Sequence, residues 1–349
     1  KRLDECANIE YGTRVVQKKD SGTLYPVYGG GGETFRMDKF NREDCLIVAR
    51  FAMSRRCVRF VNGKFFLNDS GLSVKAGDKL YQSYLNYNII SLNDDIYHLG
   101  KGAAQRNLDV KSFKKLTIAI PPQSTQLAIV SELDKINELI RLKKEQLKDF
   151  DNLAQSLFYE MFGDPVENEK GWEVKKLIEV SSLINGRAYK QNELLSEGKY
   201  KVLRVGNFFT NSNFYYSNLE LEDEKYCYKG DLLFAWSASF GAFIWDEDKT
   251  IFHYHIWRVL FDKAILDIHY YQYLLNTMTS FFMNDVHGIG MVHLTKSGME
   301  QYELPLPPLS LQRLFAQRIE QIEREKSEVQ KSIQDLETLL ASRMQYWFE

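Results

Sequence analysis

The sequence predicts an α+β fold in which two mixed α/β domains are joined by two long antiparallel coiled-coil helices, with a pseudo-two-fold internal repeat. Two observations predict it. A proline motif followed by a heptad pattern occurs twice, and the segment before each copy is rich in aromatic and β-branched residues with many turn signals. A chain of 349 residues has room for two or three domains. The predicted boundaries are residues 1–122 for the first domain, 123–163 for the first helix, 164–308 for the second domain and 309–349 for the second helix.

Composition places the chain among folded globular proteins, because 44% of its residues are hydrophobic and 26% are charged. The net charge of -2 conceals an uneven distribution. Residues 1–122 carry 20 Lys and Arg against 13 Asp and Glu, whereas residues 164–308 carry 14 against 20. The basic first domain suits a phosphate-binding surface, but the acidic second domain means that bulk charge alone does not indicate nucleic-acid binding.

Hydropathy and cysteine spacing exclude several classes of protein. The uncharged, apolar-leaning run at residues 234–245 is too short for the roughly 20 residues that span a bilayer. The first residues lack the apolar stretch of a secretory signal, so we expect a cytoplasmic protein without membrane contact. The four cysteines form no CxxC pair, which predicts reduced structural thiols and no zinc site.

The internal repeat is read directly from the sequence. LTIAIPP at 116–122 recurs as YELPLPP at 302–308, an offset of 186 residues, and the match continues downstream without a gap. Further matches lie upstream with small changes of spacing: Leu3 with Leu177, Gly12 with Gly186, DCLI at 44–47 with DLLF at 231–234, and GKG at 100–102 with GIG at 288–290. The chain is therefore one unit written twice.

Each Pro-Pro pair is followed by apolar residues at alternating spacings of three and four, which predicts a long helix with a heptad seam. Each helix of about 37 residues would be roughly 55 Å long. Lys326 and Arg343 interrupt the second seam, and we expect leucine at both positions to strengthen helix association or shift the oligomeric state. The predicted pairing residues are Leu133, Ile136, Ile140, Leu147, Phe150, Leu157, Ile319, Ile322, Val329, Ile333, Leu336 and Leu340.

The order of these motifs resembles the specificity (S) subunits of type I restriction-modification enzymes, and the resemblance covers almost the whole chain. In the first half the matching segments are YPVYGGGG at 25–32, LIVAR at 46–50, GAAQRNL at 102–108 and IAIPP at 118–122. In the second half they are LRVGNF at 203–208, GDLLF at 230–234 and PPLSLQ at 307–312.

The resemblance implies that each domain is a target recognition domain reading one half of a split double-stranded DNA sequence. The helices would fix the gap between the half-sites and dock two modification subunits, with restriction subunits joining the full complex. The chain itself would be non-catalytic and would hold no cofactor. S-adenosylmethionine, ATP and Mg²⁺ would be used by the partner subunits.

Candidate DNA-contacting residues in the first domain form two clusters, an arginine-rich one and one that follows a glycine-containing stretch. They are Arg50, Arg55, Arg56, Arg59, Gln105, Arg106 and Asn107. Arginine suits bidentate contact with guanine or phosphate. The alternatives are a solvated basic hairpin for the first cluster, and an N-cap and turn before a helix for the second.

Candidates in the second domain are more dispersed. They are Arg187, Tyr189, Lys190, Arg204, Asn207, Ser237 and Ser239. Ordinary surface placement is the alternative for all of them except Ser237 and Ser239, which stand with Trp236 at the equivalent of the arginine cluster. Trp236 stands where the first domain has its arginine cluster, which suggests a different readout, although core packing is the stronger interpretation of a single tryptophan. His253 and His255 would share one strand face, but no spacing supplies further ligands for a metal.

Two other function classes remain open at this point. A tandem protein-interaction scaffold would explain the heptads and suits the acidic second domain, but it does not explain the duplicated order of motifs. A methyltransferase or nuclease is less favoured, because the glycine clusters lack a nucleotide-binding fingerprint and no Asn-Pro-Pro-Tyr-like motif is present.

Overall fold

The computed structural model describes residues 1–102, 105–210, 212–285 and 294–348. The repeated GIG at 288–290 lies outside the described residues. The chain divides into two compact units, the first formed by Lys1–Lys144 with Gln330–Glu349 and the second by Glu145–Val329. Within the described part of the chain, no helix combines the length and apolar character that crossing a membrane requires.

The first unit contains a six-stranded sheet with strand order β1-β6-β4-β5-β2-β3 and a separate two-stranded sheet, β7-β8. Its strands are β1 Ala7–Tyr11, β2 Tyr25–Tyr28, β3 Glu33–Met37, β4 Arg42–Ala49, β5 Val58–Leu67, β6 Gly71–Ala76, β7 Gly100–Lys101 and β8 Asn107–Leu108. The helices that begin in this unit are α1 Leu3–Cys6, α2 Gln17–Asp20, α3 Gln82–Ser91, α4 Asn93–His98, α5 Val110–Lys114 and α6 Gln123–Phe162.

The core of the first unit lies between this sheet and its helices. Leu46 and Val48 of β4 are buried in one cluster with Leu85 of α3 and Leu133 of α6. Such a cluster is what a sheet with one covered face requires. Trp347, near the end of the chain, packs against the same cluster, so the two ends of the unit share one core.

The second unit has two four-stranded sheets, β10-β17-β14-β15 and β12-β11-β16-β13, and a two-stranded sheet, β18-β9. Its strands are β9 Val174–Lys176, β10 Ser181–Asn185, β11 Tyr200–Leu203, β12 Tyr215–Ser217, β13 Tyr226–Cys227, β14 Leu232–Ser237, β15 Ser239–Ile244, β16 Thr250–Phe252, β17 Ile256–Phe261 and β18 Glu303–Pro305. The helices that begin here are α7 Leu177–Val180, α8 Val205–Phe209, α9 Ile268–Thr277, α10 Thr279–Asp285, α11 Lys296–Met299 and α12 Leu309–Phe348.

The two units repeat the same antiparallel strand pairing. In the first unit Ala7 lies opposite Ala76 across β1 and β6. In the second, Ser181 lies opposite Phe261 across β10 and β17. The pair β4-β6 of the first unit likewise corresponds to β14-β17 of the second.

Buried glutamines show the repeat at the level of single hydrogen bonds. In the first unit, Gln126 is fully buried. Its Oε1 accepts from the Tyr81 backbone N–H at 3.0 Å. Its Nε2 donates to the carbonyl oxygens of Lys79 and Pro121 at 3.0 and 2.9 Å. One side chain therefore ties the start of α6 to the loop that precedes α3.

The second unit contains the same arrangement around Gln312, which is also fully buried. Its Oε1 accepts from the Asp267 N–H at 2.8 Å. Its Nε2 donates to the carbonyl oxygens of Ile265 and Pro307 at 3.0 and 2.8 Å. Every partner lies 186 residues after its counterpart. The internal repeat predicted from the sequence thus includes these hydrogen bonds.

The helices α6 and α12 are 40 residues each, and the bounds of each lie within one residue of those predicted. None of the twelve predicted pairing residues is classed as exposed. Within the first unit, Lys144 Nζ of α6 lies 2.7 Å from Glu337 Oε1 of α12. Within the second unit, the rings of Phe158 and Phe315 meet with centroids 5.7 Å apart.

Lys326 and Arg343, the cations on the second seam, have carboxylate partners. In the second unit Lys326 Nζ lies 2.8 Å from Asp151 Oδ1. In the first unit Arg343 pairs with Glu132, which also accepts from Trp347 Nε1 at 3.1 Å. Hydrogen bonding from Arg343 lowers the pKa of Glu132 below its usual range. Leucine at both positions would remove these two ion pairs, but Glu132 would keep its hydrogen bond from Trp347 and Asp151 is exposed to water. Stronger helix association in the double variant therefore stays a prediction.

The four cysteines are free thiols, and Cys57 and Cys227 are buried. Burial raises the pKa of Cys57 to about 11. A protonated, buried thiol is unreactive. These properties agree with the structural role predicted from cysteine spacing.

Candidate nucleic-acid interface

The two candidate clusters of the first domain lie side by side. The Leu108 N–H donates to the Arg50 carbonyl at 2.8 Å. The Ala52 N–H donates to Asn107 Oδ1 at 3.3 Å. These hydrogen bonds place the segment after β4 against β8. Five arginines lie in these two adjoining segments, and we call them the cationic surface: Arg50, Arg55, Arg56, Arg59 and Arg106.

Arg50 is held by aromatic rings and by the backbone. Its guanidinium lies 5.0 Å from the Tyr11 ring centroid and 4.5 Å from that of Phe51. Its Nη1 donates to the Asp69 carbonyl at 3.2 Å. Cation–π contacts orient the side chain while preserving its charge.

A second aromatic support lies under Arg55 and Arg106, whose guanidinium groups are 5.7 and 4.7 Å from the centroid of the Tyr97 ring. Arg106 Nη1 also donates to the Tyr97 carbonyl at 3.2 Å. The ring therefore collects two cations on one part of the surface.

Charge on the cationic surface is not neutralised by nearby carboxylates. Across the described ranges, none of its five arginines forms an ion pair with Asp or Glu. Arg59 Nη2 instead donates to the Arg56 carbonyl at 3.0 Å. Partial burial, followed by the charge of Arg56, lowers the pKa of Arg59. A surface of this kind suits binding to phosphate groups. Gln105 and Asn107 lie exposed beside it.

The backbone of this region recurs in the second unit. After the parallel pair of β2 and β5, the Asn68 N–H donates to the Tyr28 carbonyl at 2.8 Å. After the parallel pair of β11 and β16, the His253 N–H donates to the Leu203 carbonyl at 2.9 Å. Asn68 and His253 therefore occupy equivalent positions.

A second hydrogen bond extends this equivalence. The Arg50 N–H donates to the Ser70 carbonyl at 2.8 Å in the first unit. The Trp236 N–H donates to the His255 carbonyl at 3.1 Å in the second. Trp236 thus replaces Arg50, as the sequence suggested, and His255 replaces Ser70. The main chain is kept while the side-chain chemistry changes.

The second unit has a cleft of about 1050 Å³ at this position. Arg204, at the end of β11, is exposed, and its guanidinium lies 5.3 Å from the Tyr215 ring centroid. Burial, then the neighbouring His255 and Arg204, lowers the pKa of His253 to about 4. The cleft is lined by Ser196, Arg204, Val205, Gly206, Asn207, Ser212, Asn213, Phe214, Tyr215, Tyr216, His253 and His255.

Some candidates of the second domain are occupied by internal partners. Arg187 Nη2 donates to Glu193 Oε1 at 2.8 Å. Asn207 accepts from the Arg204 N–H at 2.8 Å and donates to the Ser212 carbonyl at 2.7 Å. These side chains stabilise their own loops in this conformation.

The remaining candidates differ in exposure. Ser237 is only 2% exposed, so its side chain does not reach the surface in this structure, and its role as a DNA contact stays a prediction. Ser239 is half-buried at the tip of the β14-β15 hairpin, next to Ala238 with its positive φ of 64°. Tyr189 is half-buried, and burial raises its pKa. Lys190 is exposed.

The sequence did not reveal that His253 and His255 line a cleft, because it indicated these histidines only as possible metal ligands. Over the described ranges, no group of three or more His, Cys, Asp or Glu could hold a metal ion. The sequence offsets do not align these histidines with Asn68 and Ser70 beside the cationic surface. That equivalence is visible only in the strand pairing and backbone hydrogen bonds of the folded chain. The ring supports Tyr11 and Tyr97 were also missed.

The repeated fold defines a tandem-domain protein whose two domains carry related surfaces on one backbone frame. Residues 1–149 and 169–338 match the family model described as the type I restriction modification DNA specificity domain. The chain belongs to this family of type I restriction-modification specificity subunits. Accordingly it is a non-catalytic DNA-recognition subunit, as the sequence resemblance implies.

Individual relatives agree with the family match. A putative type I restriction enzyme specificity subunit from Haemophilus influenzae is 23% identical over 343 residues, covering 93% of this chain and 87% of the relative. A type I restriction enzyme specificity subunit from Methanocaldococcus jannaschii is 22% identical over 323 residues, covering 80% and 75%. The S subunit from M. genitalium has a similar fold, with a TM-score of 0.56, 15% identity and coverage of 99% and 94%.

Proposed function

We propose that each domain of this subunit reads one half of a bipartite double-stranded DNA target. The observation that carries the proposal is the unneutralised cationic surface of the first domain, whose backbone frame recurs with other side chains in the second domain. Base edges and phosphates need only such side chains, without a catalytic group. Different side chains on one frame would read different half-sites.

We propose further that α6 and α12 pair as an antiparallel coiled coil that sets the gap between the half-sites. A helix of 40 residues is about 60 Å long. That length suits half-sites separated by one helical turn of DNA, about 34 Å, or slightly more. The pairs Arg343–Glu132 and Lys326–Asp151 support this arrangement within each unit.

Chemistry would belong to partner subunits docked on this chain. We propose two modification subunits, which use S-adenosylmethionine, and restriction subunits, which use ATP and Mg²⁺. Similarity to a chain from a structural study of complex assembly and conformational transition of the type I R-M system supports assembly, with a TM-score of 0.58 and 18% identity. Action on cellular DNA would place the complex in the cytoplasm.

The proposed function is tested by sequencing DNA methylation in cells that express this chain with its cognate modification subunit. We expect a bipartite adenine-methylated motif that disappears when this chain is deleted. Exchanging residues 1–122 for another recognition domain should change one half-site and leave the other intact. An unchanged methylation pattern on deletion, with the modification subunit soluble, would contradict the proposal.

We predict that Arg55→Gln with Arg56→Gln lowers the salt dependence of DNA binding. If each arginine neutralises one phosphate, the slope of log K against log salt should become shallower by about 1.8. The control replaces Arg2 and Arg141, which are already paired with Asp4 and Glu138. Fluorescence anisotropy with the assembled methyltransferase measures both slopes. Equal slopes for the Arg55/Arg56 variant and the control would show that the cationic surface does not contact DNA phosphates. DNA binding that does not depend on salt would favour the protein-interaction scaffold.

A further inference from the structure

We infer that the second domain reads base edges of its half-site through Arg204 and His253 in the cleft. This inference deepens the proposed function and rests on it. It assigns the cleft a ligand class, the acceptor groups displayed in a groove of double-stranded DNA.

The position of the cleft supports this assignment. It lies where the frame of backbone hydrogen bonds is shared with the first domain but the side chains differ. Asn68 and Ser70 of the first domain correspond to His253 and His255 of the second. Asn68 and Ser70 are bound to each other, and the Gly30 N–H donates to Ser70 Oγ at 3.1 Å. In the second domain a cleft of about 1050 Å³ takes the place of this packed loop.

Arg204, the residue before α8, is a second position at which the two domains share the backbone but differ in side chain. Equivalence across the parallel strand pairs places Arg204 directly after Leu203, as Gly29 follows Tyr28. A Cβ atom on Gly29 would lie 2.1 Å from Ser70 Oγ, so the first domain has no room for a side chain there. The second domain instead extends a guanidinium from this position.

The charge of the cleft selects its ligand. Among the described residues that line it, Arg204 is the only Lys, Arg, Asp or Glu. Across the described residues Arg204 has no carboxylate partner. A cleft with one cation and no carboxylate does not suit a metal ion or a basic peptide. It suits an anion or an electron-rich acceptor such as O6 or N7 of guanine.

His253 supplies a directional donor. The His255 backbone N–H donates to His253 Nδ1 at 3.4 Å, which leaves the proton on Nε2. Its depressed pKa keeps the ring neutral at physiological pH. A neutral ring adds no phosphate attraction, so its contribution is a single hydrogen bond to an acceptor. That property distinguishes one base from another.

The experiment uses this chain in complex with its cognate modification subunit and determines the methylated sequence for each variant. His253→Asn introduces the side-chain chemistry of the equivalent Asn68, and Arg204→Ala removes an exposed cation. We expect His253→Asn to change the preferred base at one or two positions of the second half-site. Arg204→Ala should lower methylation of the original sequence roughly tenfold or more and relax one position.

The matched control is His269→Asn, since His269 lies on α9 near Glu320, with Nε2 3.7 Å from Oε1, and outside the cleft. It should leave the methylated sequence unchanged, and the first half-site should stay constant in every variant. Thermal unfolding of each complex identifies any misfolded variant. If His253→Asn fails to fold, Arg204→Ala still tests the inference, because Arg204 is exposed and its removal leaves the core intact.

An unchanged motif in folded His253→Asn and Arg204→Ala complexes would overturn the inference. Equal loss of methylation at all sequences would also overturn it, because that result describes phosphate contact without base reading. If the unmodified chain gives no bipartite motif at all, the proposed function fails instead. The two failures are therefore distinguishable.

Discussion

Gln126→Leu is expected to lower the free energy of unfolding of the first unit by about 3 to 5 kcal/mol. The buried amide makes three hydrogen bonds to backbone groups, and leucine makes none. Each buried backbone group left without a partner costs about 1 to 3 kcal/mol. The lost contacts join α6 to the segment before α3, so both should loosen together.

The control for this prediction is Gln123→Leu, which makes the same change at the exposed first residue of α6. Urea unfolding of the isolated chain measures both variants, and hydrogen exchange shows which unit is affected. Gln312→Leu should produce the matching loss in the second unit. Similar stabilities for Gln126→Leu and Gln123→Leu would show that the buried amide is not a structural tie.

The sequence aligned Gln126 with Gln312, but it did not reveal what these residues do. Two of the three partners of each glutamine precede α3 or α9, about 45 residues away, in segments whose sequences differ between the two units. The partners are backbone N–H and carbonyl groups, so they have no sequence signature of their own. Repetition was therefore predictable, whereas the structural role required the fold.

Candidate sites were predictable to different extents in the two domains. The arginines of the first domain are clustered in sequence, and a local cluster remains a cluster on folding. In the second domain, Arg187 is paired with Glu193, and that pairing depends on how the intervening turn folds. Ser237 is buried because both faces of β14 are covered, so the strand lacks the alternation of polar and apolar residues that would have predicted its burial.

The cleft was unpredictable for a further reason. Arg204 and His253 come together only through the parallel pairing of β11 with β16, strands separated by about 50 residues. Parallel pairing of distant strands leaves no turn motif that a single sequence would reveal. Strand pairing in the structure identifies the equivalent positions, and the loss of packing that opens the cleft is likewise a property of the folded chain.

The heptad spacing predicted which residues form the seam of each long helix, but it did not predict all the residues that pack those helices against the rest of their unit. The pattern contains Ala154 and Leu157, but Phe158 is fully buried and was not among the predicted pairing residues. Its ring lies 5.2 Å from that of Phe162, 5.9 Å from Tyr270 and 5.7 Å from Phe315. Within the second unit, this residue connects α6 with α9 and with the start of α12.

We therefore expect Phe158→Ala to destabilise the second unit by about 3 to 5 kcal/mol, the usual cost of removing a fully buried ring. Tyr159→Ala is the matched control, because it removes a neighbouring ring that is 40% exposed. Both changes favour helix equally, so the difference in urea midpoint isolates packing. Hydrogen exchange should report faster exchange in α9 and in the start of α12 for Phe158→Ala alone. Equal effects of the two variants would mean that the heptad residues hold these helices without the aromatic cluster.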